Sequence, residues 1–367
     1  MNDEGKKMAM GLDDVVAAET RLSLVDGDNG ILIIRGKLLD SISSSFDYEE
    51  ILTSLWEGLF NREFDIRQVR SSLGKARLEV FEELSLLDQH LIKKLPPVEA
   101  MRSLISRFVD GNDFDTAMRL VAAPAVYTSA LVRARQGRPL IKPKADVTHA
   151  EDILRMAGLD SSPLHTHALN TYLVTIIDHG LNASTFAGRV VASTKAGLVS
   201  SVLAAISALK GPLHGGAPGP VLDMLDSIGG ADNAQSWLES TVAKGERLMG
   251  FGHRIYKVRD PRADALKQAL ESLHDSASVD KNRLELAAYV EKTALAVLKQ
   301  HKPNKPIHTN VEFYTALLLD VLGFDRADFT SVFTIGRVGG WLAHAREQEI
   351  HGRLIRPQST YIGPKPS

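Results

Sequence analysis

The sequence predicts a mainly α-helical protein with two helical domains and one small β-hairpin near the N-terminus. Through most of the 367 residues, apolar side chains recur at helical spacing. Only the segments Leu22–Val25 and Ile31–Arg35, joined by a turn of Asp, Asn and Gly, have the pattern of a strand pair. Helical segments between about residues 220 and 300 are more charged than their neighbours, which indicates a smaller and more exposed domain.

Local signals define the predicted elements of the first half of the chain. The acidic segment Asp47–Glu50 starts a helix whose apolar face begins at Ile51. Pro97 is expected at the first position of another helix. Asp113 to Arg135 is predicted to be a helix interrupted or kinked at Pro124.

The second half contains longer apolar segments. After a linker-like stretch at residues 137–144 comes the apolar segment Ala168–Ile177. Thr185–Leu209 is rich enough in Ala and Ser to predict one close-packed buried helix. The later helices are expected at about residues 220–228, 232–247, 261–275, 282–300, 311–322 and 328–349. Residues 1–10 are expected to form a loose tail.

The composition restricts the class of protein. A formal net charge of −2 gives no electrostatic case for binding nucleic acid or an anionic membrane. No apolar run approaches the roughly 18 residues of a membrane span, and the first residues lack the apolar core of a signal peptide. The absence of cysteine excludes disulfides and thiolate chemistry. We therefore expect a soluble, cytoplasmic protein.

One histidine lies in an unusual turn. The ten residues Gly211–Pro220 contain four glycines, three prolines and His214, and they separate two helical segments. Such a break lets backbone N–H groups and a small polar side chain approach a ligand closely. The start of the following helix would disfavour imidazolium, and a neutral His214 could donate its N–H to a carbonyl oxygen that gains negative charge. Taken alone, the segment fits an incidental histidine in a helix corner equally well.

A second histidine, His253, lies between glycines and basic residues in the segment Gly250–Arg262. Asp260 is predicted to cap a helix that has Pro261 at its first position. Basic side chains beside a helix start suit a phosphate or a carboxylate. A solvated basic turn is the alternative.

Four more residues have features of a site. His179 ends an apolar helix at a glycine, and the alternative to a site residue is a histidine buried in the core. Glu312 begins an apolar helix, and the alternative for it is simple complementarity with the helix dipole. Arg337 lies in an apolar helix and needs an anionic partner, and Arg356 follows near the C-terminus. The sequence contains no phosphate-binding loop, dinucleotide fingerprint or nucleophile elbow, and no carboxylate completes a metal site with His165 and His167.

Together and in this order, these segments resemble the citrate synthase family. The matching segments are Gly11–Thr20, Asp178–Ser184, Gly211–Ala217, Gly250–Lys257 with Asp260–Arg262, Asn310–Tyr314, Gly336-Arg337 and Arg356-Pro357. The resemblance covers almost the whole chain, apart from a divergent stretch at about residues 60–145. It implies a helical homodimer with a large domain of residues 1–213 and 323–367 and a small domain of residues 214–322, which close over the substrates.

The resemblance also implies the activity. It is a Claisen-type condensation of acetyl-CoA with oxaloacetate, followed by thioester hydrolysis to citrate and CoA, with no metal or other cofactor. Glu312 would be the base that removes a proton from the acetyl methyl group. His214 would donate to the enol oxygen, and His253 would polarise the ketone of oxaloacetate.

Binding residues are implied in the same way. His179, Arg262, Arg337 and, from the partner subunit, Arg356 would hold the dicarboxylate, because planar guanidinium groups suit carboxylates. The backbone of Gly250, Phe251 and Gly252, together with Lys257, would face CoA.

The chain departs from the family at two places. Most members have Asp where this chain has Glu312, although some bacterial members resemble this chain at that position. The extra methylene of Glu adds about 1.5 Å to the side chain. A misplacement of roughly 1 Å can cost ~100-fold in rate. The segment Pro306–Thr309 replaces the more usual tyrosine-proline.

Two alternatives stay open. A 2-methylcitrate synthase would use propionyl-CoA with the same residues, and one methylene in an apolar pocket is worth only about 1–3 kcal/mol. A paralogue that binds CoA or dicarboxylates with little turnover is favoured by Glu312 and opposed by the presence of all three histidines and the arginines.

Overall fold

The computed structural model describes residues 11–12, 15–84, 94–216, 218–253, 255–273, 280–304 and 306–366. Within these residues it contains one three-stranded sheet and fifteen α-helices, so the predicted mainly α-helical class is confirmed. The predicted tail at residues 1–10, and Ala217 and Arg254 of the two histidine segments, lie outside the described residues.

The predicted hairpin is present and gains a third strand. Strands β1 (Ser23–Asp26) and β2 (Ile31–Ile34) are antiparallel, with Asp26 opposite Ile31, and β3 (Lys37–Leu38) pairs with β2. The Asp26 carboxylate closes the turn because it accepts hydrogen bonds from the backbone N–H groups of Asp28 and Asn29 at 3.1 and 3.0 Å. Asx side chains stabilise turns in this way.

The helices of the first part of the chain surround an apolar core. They are α1 (Leu39–Ile42), α2 (Tyr48–Leu55), α3 (Ile66–Leu84), α4 (Pro97–Ile105), α5 (Phe114–Arg135), α6 (His149–Ala157), α7 (Pro163–Ile176), α8 (Ala183–Ala192) and α9 (Leu198–Leu209). Helix α5 is buried on nearly all sides and is not interrupted at Pro124, which lies inside it. Its N-cap is Asp113, whose side chain accepts a hydrogen bond from Thr116 N.

The later helices agree with the expected positions to within a few residues. They are α10 (Gly219–Ile228), α11 (Ala231–Ala243), α12 (Pro261–Ser272), α13 (Lys281–His301), α14 (Val311–Val321) and α15 (Phe329–His351), with a 3-10 turn at Arg326–Asp328. The predicted cap of α12 is also present, since the Asp260 side chain accepts a hydrogen bond from Arg262 N.

The prediction of one helix over Thr185–Leu209 is wrong. The segment forms α8 and α9, because Lys195 and Gly197 between them have left-handed backbones with φ of 62° and 103°. The Asp110 carboxylate then caps α9 by accepting a hydrogen bond from Val199 N at 2.8 Å. A glycine inside the apolar pattern was the available signal for this break.

No helix was predicted for the two segments that form α3 and α6. They are joined by a buried ion pair between Arg77 and Asp152, whose atoms are 2.7 Å apart. Arg77 also donates hydrogen bonds to the carbonyl groups of Lys144 and Val147, so the linker is fixed by side-chain contacts. Among the described residues, no helix is both long and apolar enough to cross a bilayer.

Helix α15 brings the candidate residues to the centre of the protein. It packs against α5, α7, α8 and α9, whereas α12 packs against both α7 and α14. Helix α7 is therefore flanked by the elements that carry Arg262, Glu312 and Arg337. The division into domains at residues 214 and 322 stays a prediction.

Candidate active site

His179 follows α7 in a segment that turns sharply at Gly180, where φ is +57°. The imidazole is buried, and its Nε2 lies 3.1 Å from the hydroxyl of Tyr256. Burial and the nearby charges of Arg262 and Arg337 hold the pKa of His179 well below its usual value. His179 is consequently neutral at pH 7.

The loop before α12 fixes the ring of His253. Its Nδ1 accepts hydrogen bonds from the backbone N–H groups of Ile255 and Tyr256, both at 3.0 Å, which assigns the ring proton to Nε2. Nε2 lies 3.1 Å from Nη2 of Arg262. Both nitrogens are then N–H donors and cannot bond to each other, so an oxygen acceptor of a ligand could accept from both. The centroids of the His253 and His179 rings are 6.1 Å apart.

Arg262 is buried at the first turn of α12 and is held by Asp260. The carboxylate accepts from Nε at 3.0 Å and from Nη2 at 2.8 Å, in a bidentate arrangement. Burial disfavours the charge, but the contact with Asp260 outweighs it and raises the pKa of Arg262. The guanidinium is therefore charged and oriented before any ligand binds.

Arg337 is buried within α15 without a carboxylate partner. Its Nε donates to the carbonyl oxygen of Ile176, and its guanidinium lies 4.9 Å from the ring centroid of Phe333. No carboxylate of the described residues forms an ion pair with it. Burial, partly offset by the charge of Asp178, lowers the pKa of Arg337 to about 10. The residue is still charged at pH 7 and remains available to an anionic ligand.

His214 lies in the turn at residues 211–216, several residues before α10 begins at Gly219. The expectation that a helix N-terminus keeps it neutral is therefore wrong. Burial and the charges of Arg337 and Arg262 lower the pKa of His214 to about 4.

The hydroxyl of Ser184 orients His214. Its Oγ lies 2.8 Å from Nε2 of His214, accepts from Nε1 of Trp341 at 3.1 Å and donates its proton to Oδ1 of Asn182 at 2.7 Å. Because serine has a single hydroxyl proton, its direction sets the histidine tautomer. Oδ1 of Asn182 can only accept, so the hydroxyl proton points to Asn182 and Nε2 of His214 carries the imidazole proton in the structure. Nδ1 becomes a donor to a ligand only when the hydroxyl of Ser184 turns to Nε2.

Glu312 begins α14, where its backbone N–H donates to the cap residue Asn310 at 3.0 Å. Part of the residue is accessible to solvent, but its Oε2 is buried and accepts no hydrogen bond. Burial raises the pKa of Glu312 to about 7, although Arg262 acts in the opposite direction. A carboxylate with this pKa can take up and release a proton near neutral pH.

The Gly250–Gly252 segment connects His253 to Glu312. Gly252 N donates to the His308 carbonyl oxygen at 2.8 Å, and Asn310 N donates to that of Gly250 at 2.9 Å. Gly250 has φ of +83°, and a Cβ there would lie 2.8 Å from Cβ of Phe313. Glycine is therefore needed for both conformation and space.

Two predicted residues lie apart from this group. The ammonium of Lys257 is exposed and pairs with the Asp28 carboxylate at 2.8 Å. Arg356 is exposed in the extended segment that follows α15. Neither residue contacts the histidines in the described structure of one chain.

A buried chain of polar residues behind His179 was not predicted. Arg189 can only donate to Nδ1 of His344, at 2.9 Å, so Nε2 of His344 donates to Oδ1 of Asp178, at 3.1 Å. Burial opposes ionisation of Asp178, but the contact with His344 outweighs it and lowers the pKa. Polar residues at a helical spacing within the apolar α15, at His344 and Gln348, were the only signal in the sequence.

The described residues contain no group of three or more histidine, aspartate or glutamate side chains that could hold a metal ion. They bring together three neutral imidazoles, one buried carboxylate and two guanidinium groups. Such a site can bind a dicarboxylate, donate N–H groups to carbonyl oxygens and remove a proton from carbon.

Comparisons with known proteins agree with this chemistry. The family model described as the C-terminal domain of citrate synthase matches residues 11–358. Citrate synthase 2 of Bacillus subtilis is 34% identical over 365 residues, covering 96% of this chain and 95% of that protein. A putative citrate synthase 2 of Mycobacterium bovis is 34% identical over 366 residues, covering 97% and 93%.

A solved structure has the same fold. It is a citrate synthase of the archaeon Thermoplasma acidophilum, in ternary complex with carboxymethyl coenzyme A and oxaloacetate. It is similar with a TM-score of 0.85 and 30% sequence identity, covering 97% of this chain and 96% of that one.

Proposed function

This chain belongs to the citrate synthase family, and from that premise we propose that it condenses acetyl-CoA with oxaloacetate to give citrate and CoA. The observation that carries the proposal is the arrangement of Glu312 and the unpaired Arg337 around three neutral histidines. We further propose that it acts as a homodimer in the cytoplasm, with which a sequence free of cysteine is compatible.

Arg262 and Arg337 are proposed to bind the two carboxylates of oxaloacetate. The contact with Asp260 keeps Arg262 charged and oriented. Arg337 has no carboxylate partner in the protein, so a ligand carboxylate does not have to displace one. His179 and the partner's Arg356 would complete the contacts. The proton on Nε2 of His253 is suited to polarise the ketone, because its Nδ1 is already occupied by two backbone donors.

Glu312 is proposed to be the base. It takes a proton from the methyl group of acetyl-CoA. The N–H of His214 stabilises the enol oxygen from Nδ1, once the hydroxyl of Ser184 has turned from Asn182 to Nε2. A pKa of about 7 leaves a large fraction of Glu312 ionised at neutral pH and makes it a stronger base than an exposed glutamate.

The remaining steps form and release the product. The enol carbon attacks the ketone carbon of oxaloacetate, and the ketone oxygen takes up a proton as the carbon–carbon bond forms. Water then cleaves the thioester and releases CoA. Because His214 and His253 stay neutral, each can donate a hydrogen bond to its carbonyl oxygen without placing a permanent positive charge beside it.

The CoA contacts are proposed to involve the backbone at Gly250, Phe251 and Gly252. These residues are fixed against the segment that leads to Glu312, so a thioester bound beside them would lie near the base. Lys257 was expected at the same place, but its ammonium pairs with the carboxylate of Asp28 instead.

Thiol release from acetyl-CoA and from propionyl-CoA, each with and without oxaloacetate, tests the proposal. We expect release that depends on oxaloacetate and a larger kcat/KM for acetyl-CoA. A larger value for propionyl-CoA would instead support a 2-methylcitrate synthase. Folded protein that binds CoA but releases no thiol from either substrate would support the binding paralogue.

A further inference from the structure

The turn between β1 and β2 is in direct contact with the loop that carries His253. The carbonyl oxygen of Gly27 accepts a hydrogen bond from the backbone N–H of Lys257 at 2.9 Å. A Cβ on Gly27 would lie 2.3 Å from the carbonyl oxygen of Ile255, and one on Gly30 would lie 2.9 Å from that of Arg259. The two backbones therefore touch at both ends of the turn, and only glycine permits the approach at Gly27.

One residue that the turn contacts, Ile255, orients His253 together with its neighbour Tyr256. The backbone N–H groups of Ile255 and Tyr256 hold Nδ1 of His253, and the hydroxyl of Tyr256 lies 3.1 Å from Nε2 of His179. A displacement of Ile255 would thus move His253 directly and His179 through Tyr256.

The same hairpin also holds the other histidine segment. The hydroxyl oxygen of Ser23 accepts a hydrogen bond from Gly180 N at 3.1 Å. A Cβ on Gly180 would lie 3.2 Å from a methyl carbon of Val25, so strand β1 is packed against the residue next to His179. One small element therefore contacts both segments, although they are far apart in the sequence.

We propose that the hairpin Ser23–Gly30 is a positioning element that sets the separation of His179 and His253, with Gly27 as its decisive residue. The exposed ion pair between Asp28 and Lys257 supports the contact, so Lys257 is a positioning residue rather than a ligand of CoA. The inference rests on the proposed function, because the spacing matters only if both histidines contact one dicarboxylate.

The substitution Gly27→Ala tests this directly, because the added methyl group must displace Ile255. We expect the KM for oxaloacetate to rise at least about tenfold and kcat/KM to fall ~100-fold, as for a misplacement of roughly 1 Å. The KM for acetyl-CoA should stay within about twofold of the wild-type value. Gly230→Ala is the matched control, because nothing lies within 4 Å of a Cβ there and its φ is not left-handed.

A charge exchange provides a second test that does not depend on the folding of Gly27→Ala. Asp28→Lys should raise the KM for oxaloacetate about two- to fivefold, in line with the small energies of exposed ion pairs. Adding Lys257→Asp should restore the wild-type value, whereas Lys257→Asp alone should weaken binding. A purely structural hairpin predicts no such rescue.

Failure of this inference is distinguishable from failure of the proposed function. A wild-type protein without thiol release that depends on oxaloacetate contradicts the function. An active wild type whose KM for oxaloacetate is unchanged in Gly27→Ala contradicts the positioning role. If Gly27→Ala does not fold, an unchanged KM in Asp28→Lys contradicts it. A rise in the KM for acetyl-CoA alone, in Lys257→Asp, would return Lys257 to the CoA site.

Discussion

The hydroxyl of Tyr256 lies 3.1 Å from Nε2 of His179, although 77 positions separate the two residues in the sequence. Tyr256 also donates its backbone N–H to Nδ1 of His253. One tyrosine therefore contacts both histidines that are proposed to meet oxaloacetate. Its role follows from its position between the two rings rather than from chemistry of its own.

Tyr256→Phe should weaken oxaloacetate binding about three- to tenfold, because the loss of one hydrogen bond costs roughly 0.5–1.5 kcal/mol. The backbone bond to His253 remains, so kcat should change less than the affinity. Isothermal titration with oxaloacetate measures the effect. An affinity equal to that of the wild type would show that His179 is oriented without this hydroxyl.

Glu312→Gln should lower kcat ~100- to 10,000-fold, because general base catalysis contributes about this factor. Oxaloacetate affinity should stay near normal, since the arginines and histidines are unchanged. Stopped-flow measurement of thiol release and separate titration of oxaloacetate check the two parts. Glu312→Asp is the matched control, and we expect it to retain a base but to lose rate through its shorter reach. Turnover near the wild-type level in Glu312→Gln would remove Glu312 as the base.

The pH dependence should report the ionisation of Glu312. Because its pKa is raised to about 7, kcat/KM should increase roughly tenfold per pH unit below pH 7 and level off above it. His214 and His253 have pKa values of about 4, so their ionisation should not change kcat/KM between about pH 5.5 and 8. A profile that is flat across this range would contradict the assignment.

The same pKa makes a prediction about stability. A pKa that is higher in the folded state means that the folded protein binds more protons, so the free energy of unfolding falls as pH rises from the ordinary value of 4.5 through about 7. Glu312→Gln removes this loss and should be more stable than the wild type at pH 8, by about 1–3 kcal/mol. The difference should nearly vanish below pH 4.5. Urea denaturation at the two pH values measures it.

Arg337→Leu should bind oxaloacetate more weakly by about 2–5 kcal/mol, because it removes a buried cation that the dicarboxylate needs. The free protein should be as stable or more stable, since an unpaired buried charge is costly. Arg189→Leu is the informative control. Arg189 is also buried but pairs with Glu347 at 2.7 Å, so its removal should destabilise the protein by about 3–5 kcal/mol. Unchanged affinity in Arg337→Leu would place that residue outside the site.

The partner's Arg356 is tested by mixing subunits. Arg356→Ala and Glu312→Gln dimers should each be nearly inactive. After refolding as a mixture, half of the dimers are mixed and each mixed dimer has one intact site, so about a quarter of the wild-type activity should return. No recovery, with mixed dimers demonstrated by mass spectrometry, would mean that Arg356 acts within its own subunit.

The sequence predicted the helices best where a local signal was strong. Asp113 and Asp260 cap their helices as expected, and the Asp26–Gly30 turn forms between two strands. The break between α8 and α9 was missed because apolar periodicity continues through it, whereas the left-handed Lys195 and Gly197 end the helix. Helix α6 was missed although Thr148 and the left-handed Gly158 cap its two ends. The Arg77–Asp152 contact that joins α3 to α6 links residues far apart in the sequence, so no local pattern reveals it.

The sequence by itself determined the helical class and the family, and it singled out the candidate histidines, glutamate and arginines, because each lies in a short local motif. Only the tertiary structure decided how these residues behave. The neutral state of His214 arises from burial and two arginines rather than from a helix terminus, and the pKa of Glu312 arises from burial. The contacts of Tyr256 with His179 and of Gly27 with Lys257 join distant segments. Desolvation and such contacts depend on how all the helices pack, whereas periodicity and capping depend only on neighbours along the chain.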